Sequence, residues 1–449
     1  MPRKLDSFLL WLCIGVGIAL RMTDLGVPDF ATDEAQAALG ATAAWTPLGM
    51  QIMGLAQSLF GHTIIVARSV SAVFGIALLP LLYLIAREYT DKKTALLITA
   101  IAAIFPTHIV FSRLAYLSAQ LLFGWTLMLY CFLKTRKAIL APQSSLSASG
   151  VGWMFALFFA SVFATLIKSQ GLLFPGLLIL GTFIEQWKTS KKLSIVNCLP
   201  AEALAKAGQL SIVLVLSLLP TTLYILTHPG IAATVLLYGG NMYGISGFFH
   251  RFIELFTTWW TELSLFLIVL VFALPSLKNF SWPVSALLAL VSAVGFILGP
   301  DHAYYVSDLV LFALPMGVIL SRGISHQSVY VRSGARITEC ALLLLTLIIL
   351  GPTALSRTQW TYPLYQEEGY WNTHAETLNA VLKDEETVTV LGFPGHHLRW
   401  YLTPRLLVGR EMTPPYPTAF ILIPRGTASA DIKGTVVYDD AEFTILEQQ

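Results

Sequence analysis

Four carboxylates follow the first apolar run, 5–22, in the stretch Arg21-Met-Thr-Asp24-Leu-Gly-Val-Pro28-Asp29-Phe-Ala-Thr-Asp33-Glu34. That run is long enough to cross a bilayer as a helix. The chain is only 12% charged and 55% hydrophobic, so it has few carboxylates to distribute. Ionisable groups at membrane depth are costly and usually functional. The acidic stretch is therefore a candidate site beside the membrane.

Further apolar runs of membrane-spanning length dominate the remaining sequence. The mean hydropathy is +0.69, and we predict an all-α polytopic membrane protein with about eleven transmembrane helices. Segment 46–60 is apolar but too short to span, so we expect it to lie at the membrane interface. The predicted spans are 5–22, 64–87, 94–112, 115–134, 151–167, 170–187, 209–227, 258–275, 281–299, 304–321 and 337–355.

The loops on the two sides of the predicted membrane domain differ in how many basic residues they contain. If the N-terminus is cytoplasmic, the outer loops hold only Arg113, Lys168 and Arg251, and the other loop Lys and Arg residues face the cytoplasm. The positive-inside rule therefore predicts this orientation, in the plasma (inner) membrane. An odd number of spans then places the C-terminal part outside. Topology explains the net charge of +2, which gives no reason to expect nucleic acid as a partner.

Two domains follow from this pattern. The first, 1–356, is the transmembrane domain, with external loops 24–63 and 228–257, the second of which suits helices lying on the membrane surface. Residues 357–449 are more polar and predict a small extracytoplasmic α/β domain. Its predicted strands are 387–392, 405–409, 417–424, 434–438 and 441–447, and its predicted helices are 373–383 and 396–402.

Two interpretations of Asp33-Glu34 are open. Acids favour the first turn of a helix, here predicted at 33–45, because they offset the helix dipole, and Thr32 or Asp33 suits its N-cap. The same carboxylates can also serve as a general base that faces a membrane-embedded substrate. Both are compatible, since an N-cap acid can present its outer oxygen to a cleft.

Arg113 and Lys168 are basic residues on the predicted outer side, where the positive-inside rule gives no reason for them. Arg113 ends the third predicted span, and Lys168 lies at the turn between the fifth and sixth. One interpretation is snorkelling to external lipid phosphates. The other is a cationic clamp for the phosphate of a lipid substrate.

A polar cluster opens the tenth predicted span, in Asp301-His302-Ala-Tyr304-Tyr305-Val-Ser-Asp308. An aromatic belt with Asp301 as N-cap is one interpretation of this segment. Asp308 lies about one turn inside an otherwise apolar helix, four residues from Tyr304. We therefore also consider His302, Tyr304, Tyr305 and Asp308 as substrate-binding residues.

Other catalytic signatures are missing from the sequence. It has no glycine-rich phosphate loop, nucleophile elbow or pair of zinc histidines. The four cysteines fall in predicted spans or cytoplasmic loops, with spacing that suits neither a disulfide framework nor zinc. Asp24, Asp29 and Asp33 can contribute to a divalent-cation site, but we expect no required cofactor and assign no metal ligand.

The order of these motifs resembles the GT-C glycosyltransferases that use polyprenyl-phosphate sugars. The chain is similar to the protein O-mannosyltransferases and to the bacterial lipid A aminoarabinose transferase over about 1–325. The motifs that match, in chain order, are Asp33-Glu34, Leu59-Phe60-Gly61, Arg68-Ser-Val-Ser-Ala-Val-Phe-Gly75, the segment from Pro106 to Arg113, Lys168 before Gly171, and His302-Ala-Tyr-Tyr305.

The resemblance implies an external active site. In it, Asp33 matches the catalytic carboxylate residue, and Glu34 lies beside it in the sequence. Arg113 and Lys168 match phosphate-binding positions, and His302-Ala-Tyr-Tyr305 matches the motif before the tenth span. The implied reaction moves a sugar from a polyprenyl-phosphate donor to an acceptor hydroxyl on a protein, glycolipid or polysaccharide. Because one displacement suffices, the sequence predicts inversion at the anomeric carbon.

The first external loop departs from the family. Only twelve residues separate Glu34 from a single Pro47, where the family has a longer stretch and a Pro-Pro motif. The acceptor therefore stays open, and a partner subunit is one way to complete the site. Two alternatives to the transferase are a transporter or flippase of lipid-linked sugars and a non-catalytic relative that scaffolds an envelope assembly. Internal repeats and broken polar helices, typical of transporters, are not clear in the sequence.

Overall fold

The computed structural model describes part of the chain, chiefly residues in its first half and the strands near its C-terminal end. The predicted spans from 258 onward lie outside it, apart from Leu355, as does loop 228–257 apart from His228. The described residues are 3–26, 34, 37–38, 47–89, 92–139, 148–172, 174–183, 201–228, 355, 388–390, 407–408, 420–424, 435–439 and 443–447.

Helices make up most of the described chain. The stretches that are long and apolar enough to cross a membrane are Leu5–Met22, Ile64–Glu88, Ala148–Ile167 and Gly208–Thr227, as predicted from the sequence. In chain order the helices are α1 (Arg3–Met22), α2 (Pro47–Phe60), α3 (Ile64–Tyr89), α4 (Lys92–Ala103), α5 (Pro106–Arg113), α6 (Ser118–Ile139), α7 (Ala148–Ile167), α8 (Phe174–Phe183) and α9 (Ala201–Thr227), with a 3-10 turn at Ser169–Leu172 between α7 and α8.

The third predicted span, 94–112, is not one helix, and that prediction is wrong. Helix α4 ends at Ala103 and α5 begins at Pro106. Phe105 is extended, with φ −69° and ψ 115°. A proline disfavours the helical conformation in the residue before it, and its missing N–H is harmless at the first position of a helix. The short α5 therefore restarts with its own direction and ends at Arg113.

Helices α6 and α7 pack side by side in opposite directions. Thr135 of α6 donates to the carbonyl oxygen of Trp153 at 2.9 Å, and near the other end Gly124 lies against Ala164. Helix α9 lies beside α7 and runs in the same direction as α7. Hydroxyl pairs join α9 to α7, and such hydrogen bonds help where lipid removes the hydrophobic drive between helices. The pairs are Ser217 to Ser161 at 2.6 Å and Thr221 to Thr165 at 2.7 Å.

Helix α2 has 14 residues, which is too short to span a membrane, as predicted for segment 46–60. Its Met50 and Met53 are buried, whereas Leu59 and Phe60 are exposed at 66% and 76%. One face therefore packs on the protein and the other presents large apolar side chains. This amphipathic division is typical of helices at a membrane interface, and the interfacial location itself stays a prediction.

Strands in the C-terminal part occur at each predicted strand position. They form a five-stranded mixed sheet with the order β2-β1-β3-β5-β4. Strand β1 is parallel to β2 and β3, and β5 is antiparallel to β3 and β4. The predicted helices 373–383 and 396–402 lie outside the described residues, so the α/β domain at 357–449 stays a prediction. The strands are β1 (Val388–Val390), β2 (Leu407–Val408), β3 (Phe420–Pro424), β4 (Thr435–Asp439) and β5 (Phe443–Glu447).

Candidate functional site

Glu34 is fully buried and bound on both carboxylate oxygens. Oε1 accepts hydrogen bonds from Arg68 Nε at 2.9 Å and from the Ala115 N–H at 2.7 Å. Oε2 accepts from Arg68 Nη2 at 2.8 Å. A bidentate arginine–carboxylate pair is both strong and directional. It fixes Glu34, the immediate sequence neighbour of Asp33, against α3 and against the turn that follows α5.

Two further contacts fasten the loop that follows α1. Arg68 Nη1 donates to the carbonyl oxygen of Leu25 at 3.0 Å. Gln57 of α2 donates to the carbonyl oxygen of Ala38 at 2.9 Å. The loop is thus held at three points, counting Glu34. Sequence reasoning singled out Arg68 only as part of a family motif, although an arginine near the outer end of an apolar span was itself a signal.

Arg21, at the end of α1, binds the end of α4. Its Nη1 donates to Ala103 O at 2.8 Å and to Gly17 O at 3.2 Å, and its Nη2 donates to Ala102 O at 3.1 Å. The last carbonyls of a helix have no partner within the helix and carry partial negative charge, which a guanidinium satisfies. Sequence analysis gave Arg21 no role, because the helix end that it binds lies some 80 residues further along the chain.

Arg113 binds the end of α1, the helix that carries Arg21, through a similar contact with a backbone carbonyl. It is the last residue of α5, and its Nη1 donates to the carbonyl oxygen of Leu20 near the end of α1 at 3.1 Å. The side chain is 0% exposed. Because the guanidinium lies inside the protein, the snorkelling interpretation of Arg113 is wrong. Its role in phosphate binding stays a prediction.

Lys168 follows α7 directly and is also buried, at 4% exposure. Its carbonyl oxygen accepts the Gly171 N–H at 2.7 Å, which closes the tight turn. Trp125 of α6 donates to the Gly171 carbonyl oxygen at 3.4 Å. The lysine is therefore held within the protein at the C-terminal end of α7, and snorkelling to lipid is wrong for it as well. Phosphate binding by Lys168 stays a prediction.

The structure brings three of the predicted site residues, Glu34, Arg113 and Lys168, to one end of the helix bundle. They share this end with Arg21 and Arg68. Within the described residues, no group of three or more His, Cys, Asp or Glu side chains is arranged to hold a metal ion. The remaining predicted site residues lie outside the described part, namely Asp33, His302, Tyr304, Tyr305 and Asp308.

In the described bundle, the buried charged side chains lie at one end only. The charged side chains that are buried, three arginines, one lysine and one glutamate, all lie at the predicted outer end. At the other end Glu88 contacts Lys134 and Lys137, and these side chains are 20%, 24% and 76% exposed. Buried charges cost free energy unless they are well paired, so their concentration at one end indicates a site rather than a membrane boundary. Gathered cations suit an anionic group such as a phosphate.

Comparison with known proteins identifies a family match over part of the chain. Residues 47–236 match the sequence profile of the dolichyl-phosphate-mannose-protein mannosyltransferase family. This segment includes α2 to α9 and so contains Arg68, Arg113 and Lys168. None of the curated proteins compared is similar enough in sequence to count as a match.

Solved structures share the fold at low sequence identity. ArnT from Cupriavidus metallidurans, bound to undecaprenyl phosphate, superposes with a TM-score of 0.68 at 15% identity, over 99% of this chain and 98% of ArnT. The oligosaccharyltransferase AglB from Archaeoglobus fulgidus, in complex with an inhibitory peptide and a dolichol-phosphate, gives 0.55 at 14% identity, over 89% of this chain and 63% of AglB. The chain therefore shares the fold of these solved structures, and its residues 47–236 match the mannosyltransferase family.

Proposed function

We propose that this protein is an inverting glycosyltransferase that moves a sugar from a polyprenyl-phosphate donor to an acceptor hydroxyl on the outer face of the membrane. The observation that carries the proposal is the buried ion pair Glu34–Arg68, which anchors the neighbour of Asp33 among the buried cations. The polyprenyl phosphates bound to ArnT and AglB support a donor of the same class for this chain.

Asp33 is the proposed general base. It accepts the proton of the acceptor hydroxyl as the hydroxyl oxygen bonds to the anomeric carbon, while the bond from that carbon to the phosphate oxygen breaks. Polyprenyl phosphate is a good leaving group, so no second carboxylic acid is needed, unlike in glycoside hydrolysis. Arg113 and Lys168 stabilise the charge on the departing phosphate. No metal or other cofactor enters this mechanism.

Glu34 has a different role in this proposal. Both of its oxygens are occupied by Arg68 and by the Ala115 N–H, so it holds the loop while Asp33 meets the substrate. We assign His302, Tyr304, Tyr305 and Asp308 to substrate binding as the sequence predicts. The acceptor is a protein, glycolipid or polysaccharide, and a partner subunit completes its binding surface in place of the short first loop.

Replacing Asp33 by Asn tests the proposed base. The amide keeps the size of the side chain but cannot take the proton, so we expect turnover to fall at least about 100-fold. Turnover is measured as release of polyprenyl phosphate from a lipid-linked sugar, and native mass spectrometry checks that the donor still binds. Asp29→Asn makes the same change in the same acidic segment and should leave most activity. Near-normal turnover of Asp33→Asn would remove Asp33 from the mechanism.

The same assay separates the alternatives. A scaffold protein releases no polyprenyl phosphate in any variant, whether or not it binds the donor. A transporter moves the intact lipid-linked sugar across reconstituted vesicles without cleaving its glycosidic bond. Either result with the unaltered protein would contradict the transferase proposal.

A further inference from the structure

A buried amide side chain near the buried charges has no role in the proposed mechanism. Gln120, in the first turn of α6, is 0% exposed. Within the described part of the chain, neither its amide nitrogen nor its amide oxygen has a hydrogen-bond partner, and the same holds for the hydroxyl of Ser118, which is 2% exposed. Buried polar groups in proteins are almost always paired, because an unsatisfied amide costs free energy. Such an exception points to a ligand.

The helix packing places Gln120 level with Lys168. A Cβ placed on Gly124 would lie 3.1 Å from both the Cα and Cβ atoms of Ala164, which marks a contact between α6 and α7. The two helices run in opposite directions. One turn back along α6 and one turn further along α7 therefore lead from this contact to Gln120 and Lys168.

The contact between α3 and α6 gives the same level. The rings of Phe74 and Phe123 lie 5.4 Å apart, and α3 and α6 run in the same direction. One turn back from these rings are Ser71 and Gln120. Ser71 donates to the carbonyl oxygen of Tyr116 at 2.8 Å, in the turn that precedes α6. Gln120 thus lies between α3 and α7, at the outer end where the charged residues gather.

Helix α2 borders this layer. A Cβ placed on Gly49 would lie 2.8 Å from the side chain of Leu117 and 3.1 Å from the carbonyl oxygen of Ile167. Those residues come just before α6 and just before Lys168. The first turn of α2 therefore covers the level of Gln120.

The chemistry of an amide limits the ligand. A primary amide presents a donor and an acceptor side by side, and adjacent hydroxyl groups of a sugar ring satisfy both at once. A phosphate accepts hydrogen bonds and would leave the amide oxygen unsatisfied. In a polyprenyl-phosphate sugar, the sugar is bonded directly to the phosphate that Lys168 is proposed to bind.

We infer that Gln120, together with Ser118, binds the hydroxyl groups of the donor sugar and sets the preference for sugar-bearing over sugar-free polyprenyl phosphate. This inference rests on the proposed function and adds to it a residue that recognises the donor sugar. The Gln120 amide donates to one hydroxyl oxygen and accepts from its neighbour, while the Ser118 hydroxyl contacts the same ring.

Affinities of undecaprenyl phosphate, undecaprenyl-phosphate mannose and undecaprenyl-phosphate glucose, measured by native mass spectrometry titration, test the inference. The quantity compared is the ratio of the affinity for the better sugar lipid to that for the bare phosphate. Gln120→Met keeps the length of the side chain and removes its hydrogen bonds. We expect this ratio to fall about tenfold, which corresponds to losing a pair of neutral hydrogen bonds. For Ser118→Ala we expect a fall of about threefold.

Gln209→Met is the matched control. The amide oxygen of Gln209 also lacks a partner among the described residues, and this residue precedes Ser217 of α9 by eight positions. Since Ser217 pairs with Ser161 of α7, Gln209 lies roughly 20 Å along the bundle from the level of Lys168. We expect the affinity ratio of this variant to equal that of the unaltered protein.

Thermal unfolding distinguishes sugar binding from a structural role. Gln120→Met removes an unsatisfied buried amide, so its unfolding midpoint should stay level or rise. A lowered midpoint with an unchanged affinity ratio would overturn the inference and leave the transferase proposal intact. If the unaltered protein binds the bare phosphate but prefers neither sugar lipid, the inference is again overturned. Binding of none of the three lipids would instead contradict the proposed function and the inference with it.

Discussion

The Glu34–Arg68 pair combines features that make a buried ion pair favourable. Both side chains are 1% exposed, so each charge has lost its hydration. The guanidinium meets both carboxylate oxygens, and the Ala115 N–H adds a third hydrogen bond. Desolvation is offset only when geometry and hydrogen bonding are this complete. The pair therefore fixes how the acidic loop meets α3 and the turn after α5.

Glu34→Gln should be strongly destabilising. It removes the negative charge and leaves the guanidinium of Arg68 buried opposite a neutral amide, for which we expect a cost of about 3–5 kcal/mol. The measurement is the midpoint of thermal unfolding in detergent without donor. Asp24→Asn, at an exposed position of the same loop, should change stability by less than about 0.5 kcal/mol.

A double-mutant cycle checks that the pair is the cause. Arg68→Met alone should be as costly as Glu34→Gln, whereas the double variant should be less costly than the sum of the two single changes. Additive effects would show that Glu34 and Arg68 stabilise the loop independently.

The turn between α7 and α8 depends on a close approach of two backbones. A Cβ on Gly171 would lie 2.0 Å from the carbonyl oxygen of Ala164 and 2.8 Å from the Cα of Thr165. Because these are backbone atoms, they cannot move aside as a flexible side chain can. The absence of a side chain at Gly171 therefore lets the turn fold back on α7 and hold Lys168 in the interior.

Gly171→Ala should separate this turn from α7. Overpacking of this kind typically costs about 1–3 kcal/mol, and the shift should also weaken donor binding because Lys168 lies at the start of the turn. Thermal unfolding and native mass spectrometry with polyprenyl-phosphate sugars measure the two effects.

Gly152→Ala is the control within α7. A Cβ there meets nothing within 4 Å, so the change should be neutral or stabilise by up to about 1 kcal/mol through higher helix propensity. Equal destabilisation by both substitutions would contradict the close-packing argument.

The two charged ends of α3 are one bilayer apart. Arg68 binds Glu34 near the start of the helix, and Glu88 binds Lys134 and Lys137 near its end. Twenty residues of helix span about 30 Å, which matches the hydrocarbon thickness of a membrane. The buried charges and the cluster of Glu88, Lys134 and Lys137 are therefore separated by about the thickness of the hydrocarbon core.

Cysteine labelling tests the predicted orientation of the whole chain. In a variant without Cys13, Cys131, Cys198 and Cys340, Thr23→Cys should react with a membrane-impermeant maleimide in intact cells. Lys137→Cys, at a side chain 76% exposed, should react only after permeabilisation, because the basic loops are retained inside. Labelling of the two positions in the reverse order would contradict the predicted topology and with it the external active site.

The sequence alone predicts those properties that depend on a single segment of the chain. Apolar runs of spanning length predict the helices at 5–22, 64–87, 151–167 and 209–227, because every backbone polar group in lipid must be satisfied within its own helix. The strand-forming segments of the more polar C-terminal part predict its strands from local sequence as well. Pro106 was a local signal too, and it breaks the span predicted at 94–112.

Tertiary structure decided how the segments meet, and with that which charged residues are buried and what they contact. Arg113 and Lys168 were identified from their position, but only packing shows that both are buried. The pairing of Glu34 with Arg68, and of Arg21 with the end of α4, joins parts of the chain that no local pattern relates. Nothing in the sequence distinguishes Gln120 from other polar helix residues, and only the packing shows that it is buried. Such contacts depend on how helices pack, whereas segment composition reports only whether a helix suits the membrane.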